Sequence, residues 1–252
     1  MRVQIDHPQA RQHNLQDWLD LHGLDKDTCS RLLAEIARES EKIPSRRSDA
    51  DRRSLGLDPD SVWIKVVSAI CQLLPDHQHV IEDTFQKSKK IAVSGRGKSR
   101  RALTIDNGPA AYPTILYSYF GDISDLFVVA HEFGHALQVR ASEGVFMPPV
   151  MREVCAFLSE AALLSACSRE SAFVVENSLN YWHKSNQHYL GHVAIILKKA
   201  LKDTESRYEY AWNYPIARLL AIHISNGCSS DIIWKVFRAD YSVEGVIDLL
   251  AK

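Results

Sequence analysis

Along the 252-residue chain, apolar residues recur mostly at intervals of three and four, the spacing of helices with one buried face. This spacing predicts a helix over "TCSRLLAEIARESEKI" (28–43), with Thr28 as its N-cap. A second is expected over "PDSVWIKVVSAICQLLP" (59–75), capped by Asp60 or Ser61 and ended by Pro75. Between them, "SRRSDADRRSLGLDPD" (45–60) mixes arginine with aspartate and reads as a linker or mobile loop, not a phosphate-binding patch. In "KSKKIAVSGRGKSRRALTIDNGPAAYPTILYSYFGD" the glycines, the proline and the β-branched, aromatic run 114–120 predict loop, short strand, loop, strand. Helical spacing returns at Ser124 and continues over about 124–141, 149–167, 171–203, 207–225 and 229–251. Gly191 interrupts the third of these and Pro215 lies inside the fourth. The expected architecture is mainly α with a small antiparallel β-sheet beside the 124–141 helix. An N-terminal helical segment and polar linker (1–59) would precede the main domain (60–252).

Composition narrows the class without naming a chemistry. Hydrophobic residues make up 46% and charged residues 24%, ordinary for a soluble globular protein, and the net charge of −1 supplies no field favouring nucleic acid or membrane. The N-terminal stretch lacks the apolar segment of a signal peptide, and no apolar run has the length of a membrane span. Cys29, Cys71, Cys155, Cys167 and Cys228 are scattered and odd in number, which predicts free thiols and a cytoplasmic location. The basic run 87–101 has no interleaved aromatics, so it is expected to flank a cleft instead of binding nucleic acid. His188 and His192 are four apart with Tyr189 beside the first, and a solvated helix face is the expectation there.

The chemistry concentrates in "LFVVAHEFGHALQVRA" (126–141). His131 and His135 stand one helical turn apart, so two ring nitrogens can reach a single Zn²⁺, and Glu132 is placed to take a proton from an attacking water. The flanks are apolar on all sides, and buried histidines there need a partner. A catalytic zinc wants a third protein ligand. Gln138 and Ala141 occupy the positions where a metzincin carries glycine and histidine, so that option fails. The following "PPVMREVCAFLSEAALL" puts Glu153 and Glu160 two turns apart on one apolar face. Glu153 is the expected third ligand. Glu160 would orient a histidine through its free ring nitrogen, unless it pairs with Arg152 or Arg169. Gly134, which costs about 1 kcal/mol relative to alanine in a helix, implies a close approach of substrate or backbone.

In order, "YPTILYSYFGDISDLFVVAHEFGHAL" and "REVCAFLSE" resemble the catalytic core of the oligoendopeptidase F and thimet oligopeptidase family of zinc metallopeptidases. The resemblance includes Gly121, Asp125, Gly134, Glu153 and Glu160, and extends more weakly from about residue 60 to the C-terminal helices. It implies a zincin-like helical domain with one Zn²⁺ per chain on His131, His135 and Glu153, Glu132 as general base and a peptide substrate. It also implies that the strand carrying Thr114, Ile115, Tyr117 and Tyr119 holds substrate backbone by strand addition. Late in the chain it points to Tyr210 and Tyr214 as donors to the oxyanion, with packed core tyrosines as the competing reading. On a helix, Tyr208 would lie about 200° around from Tyr210. The family's histidine ahead of these tyrosines is absent, and its later aromatic is replaced around Ile216 and Ala217. Family members also carry an N-terminal half that covers the zinc. Its absence leaves an open cleft, a homodimer or a partner over the cleft as alternatives. Two functions follow: a zinc metallopeptidase acting on oligopeptides or a dedicated precursor, or a non-catalytic zinc-containing module that binds a peptide or protein.

Overall fold

A computed structural model describes residues 13–44, 56, 58–93, 102–108, 110–203 and 205–251. Helix α1 (Leu15–His22) opens with a capping box between Asn14 and Asp17 and stops at Gly23, whose φ of 62° is readily available to glycine. Helix α2 (Lys26–Glu41) is capped by Asp25, which accepts from the Thr28 amide, so Thr28 lies in the first turn and is not the cap. Likewise α3 (Pro59–Leu73) is capped by Asp58, not by Asp60 or Ser61, because Pro59 in the first turn needs no N–H partner. Most of the expected loop 45–60 lies outside the described residues, as do residues 94–101 of the basic run.

After α4 (Gln78–Lys87) come three short strands, β1 (Lys89–Val93), β2 (Leu103–Ile105) and β3 (Thr114–Ser118). The sheet is small, as expected, but mixed and not antiparallel. Its order is β1-β3-β2, with β1 parallel and β2 antiparallel to β3. β1 and β3 are direct neighbours running the same way, and β2 lies on the far side of β3 running the opposite way.

Helices α5 (Ile123–Ala141) and α6 (Pro149–Cys167) form the centre, with α9 (Asn213–Gly227) against α6. Phe133 of α5 meets Trp63 and Phe85 edge-on, and Trp63 meets Tyr117 of β3 in the same way, fixing the sheet to the central helices. The 171–203 pattern resolves into α7 (Ala172–Asn186), a π-helical stretch Gln187–Val193 containing Gly191, and α8 (Ala194–Ala200). The interruption is therefore a widened turn and not a break. The 207–225 expectation shifts: residues 207–209 are not helical, Tyr210–Trp212 make a 3₁₀ turn, and α9 begins at Asn213. Pro215 sits in the first turn of α9, where its missing N–H breaks no helical bond. The 229–251 pattern divides at Ala239 (φ 65°) into α10 (Ser230–Phe237) and α11 (Val243–Leu250).

Described residues ahead of position 60, in α1 and α2, share this core. Leu15, Trp18 and Ile36 are buried with the residues of α5, α6 and α9. The Trp18 indole donates to Asn213 Oδ1 at 2.8 Å, and Asn14 bridges to Arg207. All five cysteines are free, and among the described residues no helix is long and apolar enough to cross a membrane.

His22, 2% exposed, ties α1 to α6. Its Nε2 accepts from the Val150 amide at 3.2 Å, while Nδ1–H donates to the Trp18 carbonyl at 2.7 Å. Both bonds require neutral imidazole, and burial holds the His22 pKa below the ordinary value of 6.5. Below 6.5 the unfolded chain therefore binds a proton that the folded chain resists. The stabilisation is complete above that pH and is lost as pH falls towards the folded value. Its contribution is expected to fall by up to about 1.4 kcal/mol per pH unit. Denaturant unfolding of the wild type and His22→Gln at pH 7.5 and 5.5 checks this: the wild type should lose more stability than the variant. Equal losses would exclude His22 as the source.

Candidate metal centre

The capping of α5 sets the direction of the first ligand helix. Asp122 caps it, and Asp125 Oδ2 turns back to accept from the Phe120 and Gly121 amides at 2.9 and 2.6 Å. Gly121 stands at φ 82°, in the left-handed region. The glycine and aspartate ahead of the histidines thus build the helix start. Farther along, Gly134 faces α6: a Cβ there would lie 2.6 Å from Ser159 Oγ and 2.8 Å from Ala156 Cα. The close approach expected for this glycine is one of neighbouring backbone, and it brings α6 to the histidines.

His131, His135 and Glu153 converge, with one ligand atom from each lying within 4.8 Å of the others. His131 Nε2 is 3.3 Å from Glu153 Oε2, and His135 Nε2 is 3.6 Å from Glu153 Oε1. Side-chain exposures of 17%, 12% and 2% leave the two histidines partly accessible and the carboxylate buried. Glu153 Oε2 and His135 Nδ1 are buried without hydrogen-bond partners. Burial lowers the His135 pKa to about 4, leaving its imidazole neutral and its lone pair available. Burial opposes ionisation of Glu153, but His135, His131 and the Tyr210 hydroxyl together hold its carboxyl well below the usual range. Burial opposes protonation of His131, but Glu153 and Glu160 raise its pKa well above the ordinary value, so an ion held there would displace a proton. Two imidazoles and a carboxylate with an unused buried oxygen could hold a metal ion, and the donor set suits zinc.

Glu160 lies beside His131. Its Oε1 accepts from His131 Nδ1 at 2.8 Å, which turns Nε2 of that ring towards the site. It also pairs with an arginine, but with Arg218 of α9 and not with Arg152 or Arg169: Arg218 Nη1 donates to Glu160 Oε2 at 2.7 Å. Arg218 is fully buried, donates from Nε to Asn186 Oδ1 at 2.6 Å, and lies over the Trp182 ring at 3.6 Å. The sequence reading missed Arg218, whose signal is a single arginine inside "IARLLAIHI". It also missed Thr104 of β2. That hydroxyl lies 2.8 Å from both the carbonyl and Oε2 of Glu132, and fixes the carboxylate. Burial pushes the Glu132 carboxyl above the usual range, with His131 and Thr104 restraining the rise. A base shifted towards neutrality is a stronger proton acceptor.

The tyrosines divide. Tyr210 is 44% exposed, yet its hydroxyl donates to Glu153 Oε1 at 2.7 Å, so it belongs to the site. Tyr214 packs edge-on to Tyr210 and against Tyr189. Burial and the charges of Glu153 and Glu132 raise its phenol pKa, so it remains a donor. Tyr208 is not on a helix with Tyr210, and its hydroxyl accepts from Asn213 Nδ2 at 2.9 Å.

The expectation for Thr114, Ile115, Tyr117 and Tyr119 requires correction. β3 is the central strand, paired with β1 along its length and with β2 over Thr114–Leu116, so over those residues it has no free edge to add a substrate strand. Ile115 and Tyr117 are buried, Thr114 accepts from Asn107 Nδ2 at 3.0 Å, and Tyr119 lies beyond the strand. The outer edge of β2 is unpaired among the described residues. Elsewhere, the His188 and His192 rings stack at 6.0 Å on an exposed face and, among the described residues, form no metal-ligating cluster.

No protein-family model matches the sequence, and no curated protein matches it. Solved structures do. One, described as a peptidase from Chlamydophila abortus, is similar at 13% identity with a TM-score of 0.54, covering 94% of this chain and 43% of that one. Another, described as an oligoendopeptidase F from Bacillus anthracis strain Ames, is similar at 15% identity with a TM-score of 0.52, covering 95% of this chain and 52% of that one. The chain spans about half the length of these proteins or less, and over that span it has their fold.

Proposed function

We propose that the chain is a zinc metallopeptidase acting on oligopeptides or a dedicated precursor. The observation that carries this is the convergence of His131, His135 and Glu153 beside a buried Glu132 that is no ligand of the group but is held in place by Thr104. A site that kept zinc only for structure needs no such base, which weighs against the non-catalytic alternative. His131, His135 and Glu153 would hold the ion, which when bound polarises a carbonyl and lowers the pKa of water. Glu132 takes the proton of the attacking water and passes it to the leaving amine. Peptide backbone runs along the outer edge of β2, where Leu103 and Ile105 are 55% and 38% exposed while Thr104 is turned to Glu132. The test is zinc-dependent cleavage of a mixed peptide library, abolished by a chelator and restored by zinc. A zinc-loaded protein that cleaves no member of the library would overturn the reading.

Tyr214 supplies the donor to the oxyanion, since the Tyr210 hydroxyl is engaged by Glu153. Tyr214→Phe is then expected to lower kcat and kcat/KM together, by about 10²–10³-fold, with KM little changed. Steady-state kinetics with Tyr208→Phe as control checks this. Normal turnover with lowered thermal stability would assign Tyr214 to packing instead.

A further inference from the structure

A cavity of about 270 Å³ opens between α5, α6 and the end of β2, lined by Asp106, Gln138, Ser142 and Arg152 with Val145 and Phe146 at its apolar rim. Gln138 and Arg152 belong to the two helices that carry the metal ligands. Gln138 follows His135 by one turn of α5, and Arg152 immediately precedes Glu153 on α6. Gln138 is 3% exposed and spends its Nε2 on Ser142 Oγ at 3.2 Å, leaving Oε1 buried without a partner. Arg152 is half-buried and has no ion-pair or hydrogen-bond partner among the described residues. Asp106, the one acid of this lining, accepts the Gly108 amide at 2.8 Å. Val145 and Phe146 are 57% and 70% exposed on the loop after α5, an apolar wall that would be covered by an occupant.

An unpaired guanidinium and a buried unpartnered carbonyl oxygen make complementary demands. The first takes a carboxylate, through a planar pair of N–H donors, and the second takes an N–H. A peptide offers both groups a few bonds apart. We propose that this cavity is the specificity pocket of the peptidase site, that Arg152 binds a carboxylate of the substrate, and that Gln138 Oε1 accepts a neighbouring peptide N–H. The carboxylate comes from the peptide C-terminus or from an Asp or Glu side chain. The inference rests on the proposed function for the peptide, but its test is one of binding and not of cleavage.

The probe is a random octapeptide library made twice, with C-terminal acids and with C-terminal amides. Each form is incubated with immobilised, zinc-loaded Glu132→Gln protein, and retained peptides are sequenced by mass spectrometry. Retention is expected to favour the carboxylate by about 10–100-fold, the range of a charged hydrogen bond. Preference for acid over amide identifies the C-terminus, while Asp and Glu enriched over Asn and Gln at one position identify the side chain. Arg152→Gln should bring either ratio towards one, and Arg152→Lys should restore only part of it, because an ammonium lacks the fork. Absence of both preferences, or a preference that survives Arg152→Gln, overturns the inference. Failure of the wild type to cleave any peptide would instead overturn the peptidase reading, whatever the retention shows.

Discussion

Glu132→Gln is expected to lower kcat by about 10²–10⁴-fold, the share commonly supplied by a positioned base, while zinc content stays at one per chain. The substitution is nearly isosteric. Thr104, whose hydroxyl lies 2.8 Å from Glu132 Oε2, can donate equally to an amide oxygen, so the side chain keeps its place. His131, His135 and Glu153 are untouched. What disappears is the capacity to accept a proton, in a carboxyl that burial has already made more basic than usual. Metal analysis and steady-state turnover on one preparation separate the two effects. Undiminished turnover would mean that another group acts as base; lost zinc would mean that Glu132 holds the ion.

The second large effect is expected far from any substrate. Arg218→Met should destabilise the protein by about 3–5 kcal/mol, because it leaves the Glu160 carboxylate buried without its counter-charge. Arg218 and Glu160 are both buried and 2.7 Å apart, so solvent does little to screen their interaction. The same change frees the carboxylate that orients His131, and a second expected consequence is zinc affinity lower by about 10–100-fold. Adding Glu160→Gln should recover part of the stability, since the orphaned charge goes, but not the affinity. Denaturant unfolding and zinc titration of both variants check this. A stability loss below about 1 kcal/mol in the single variant would show that Arg218 contributes no more than an exposed ion pair.

What was legible in the sequence was what depends on neighbours in the sequence. The bounds of α6 follow from its apolar period, and the meeting of His131, His135 and Glu153 follows from two helices whose crossing Gly134 permits. The two turns separating Glu160 from Glu153 put both on the face of α6 that meets His131. Partners supplied from afar could not be read: Arg218 lies 58 positions from Glu160, and Thr104 28 from Glu132. The strand order failed for the same reason. Thr114–Ser118 carries the β-branched and aromatic residues of a strand, but nothing local tells a central strand from an edge. Around Pro215 the apolar spacing continues through residues 207–212, which the structure uses for an extended stretch and a 3₁₀ turn. There, hydrogen bonds from Asn213 to Tyr208 and to the Tyr210 carbonyl outweigh periodicity.

On the proposed function, the shortness of β2 would set a ceiling on how tightly a peptide is held by its backbone alone. Three residues, Leu103–Ile105, present their free edge to an incoming strand, enough for a ladder of about two hydrogen bonds. At about 0.5–1.5 kcal/mol net each, these yield no more than about 3 kcal/mol, short of the roughly 4 kcal/mol that a millimolar dissociation constant represents. Discrimination among peptides therefore falls to side chains and chain ends, and sequences that differ only in what lies along β2 should compete nearly equally.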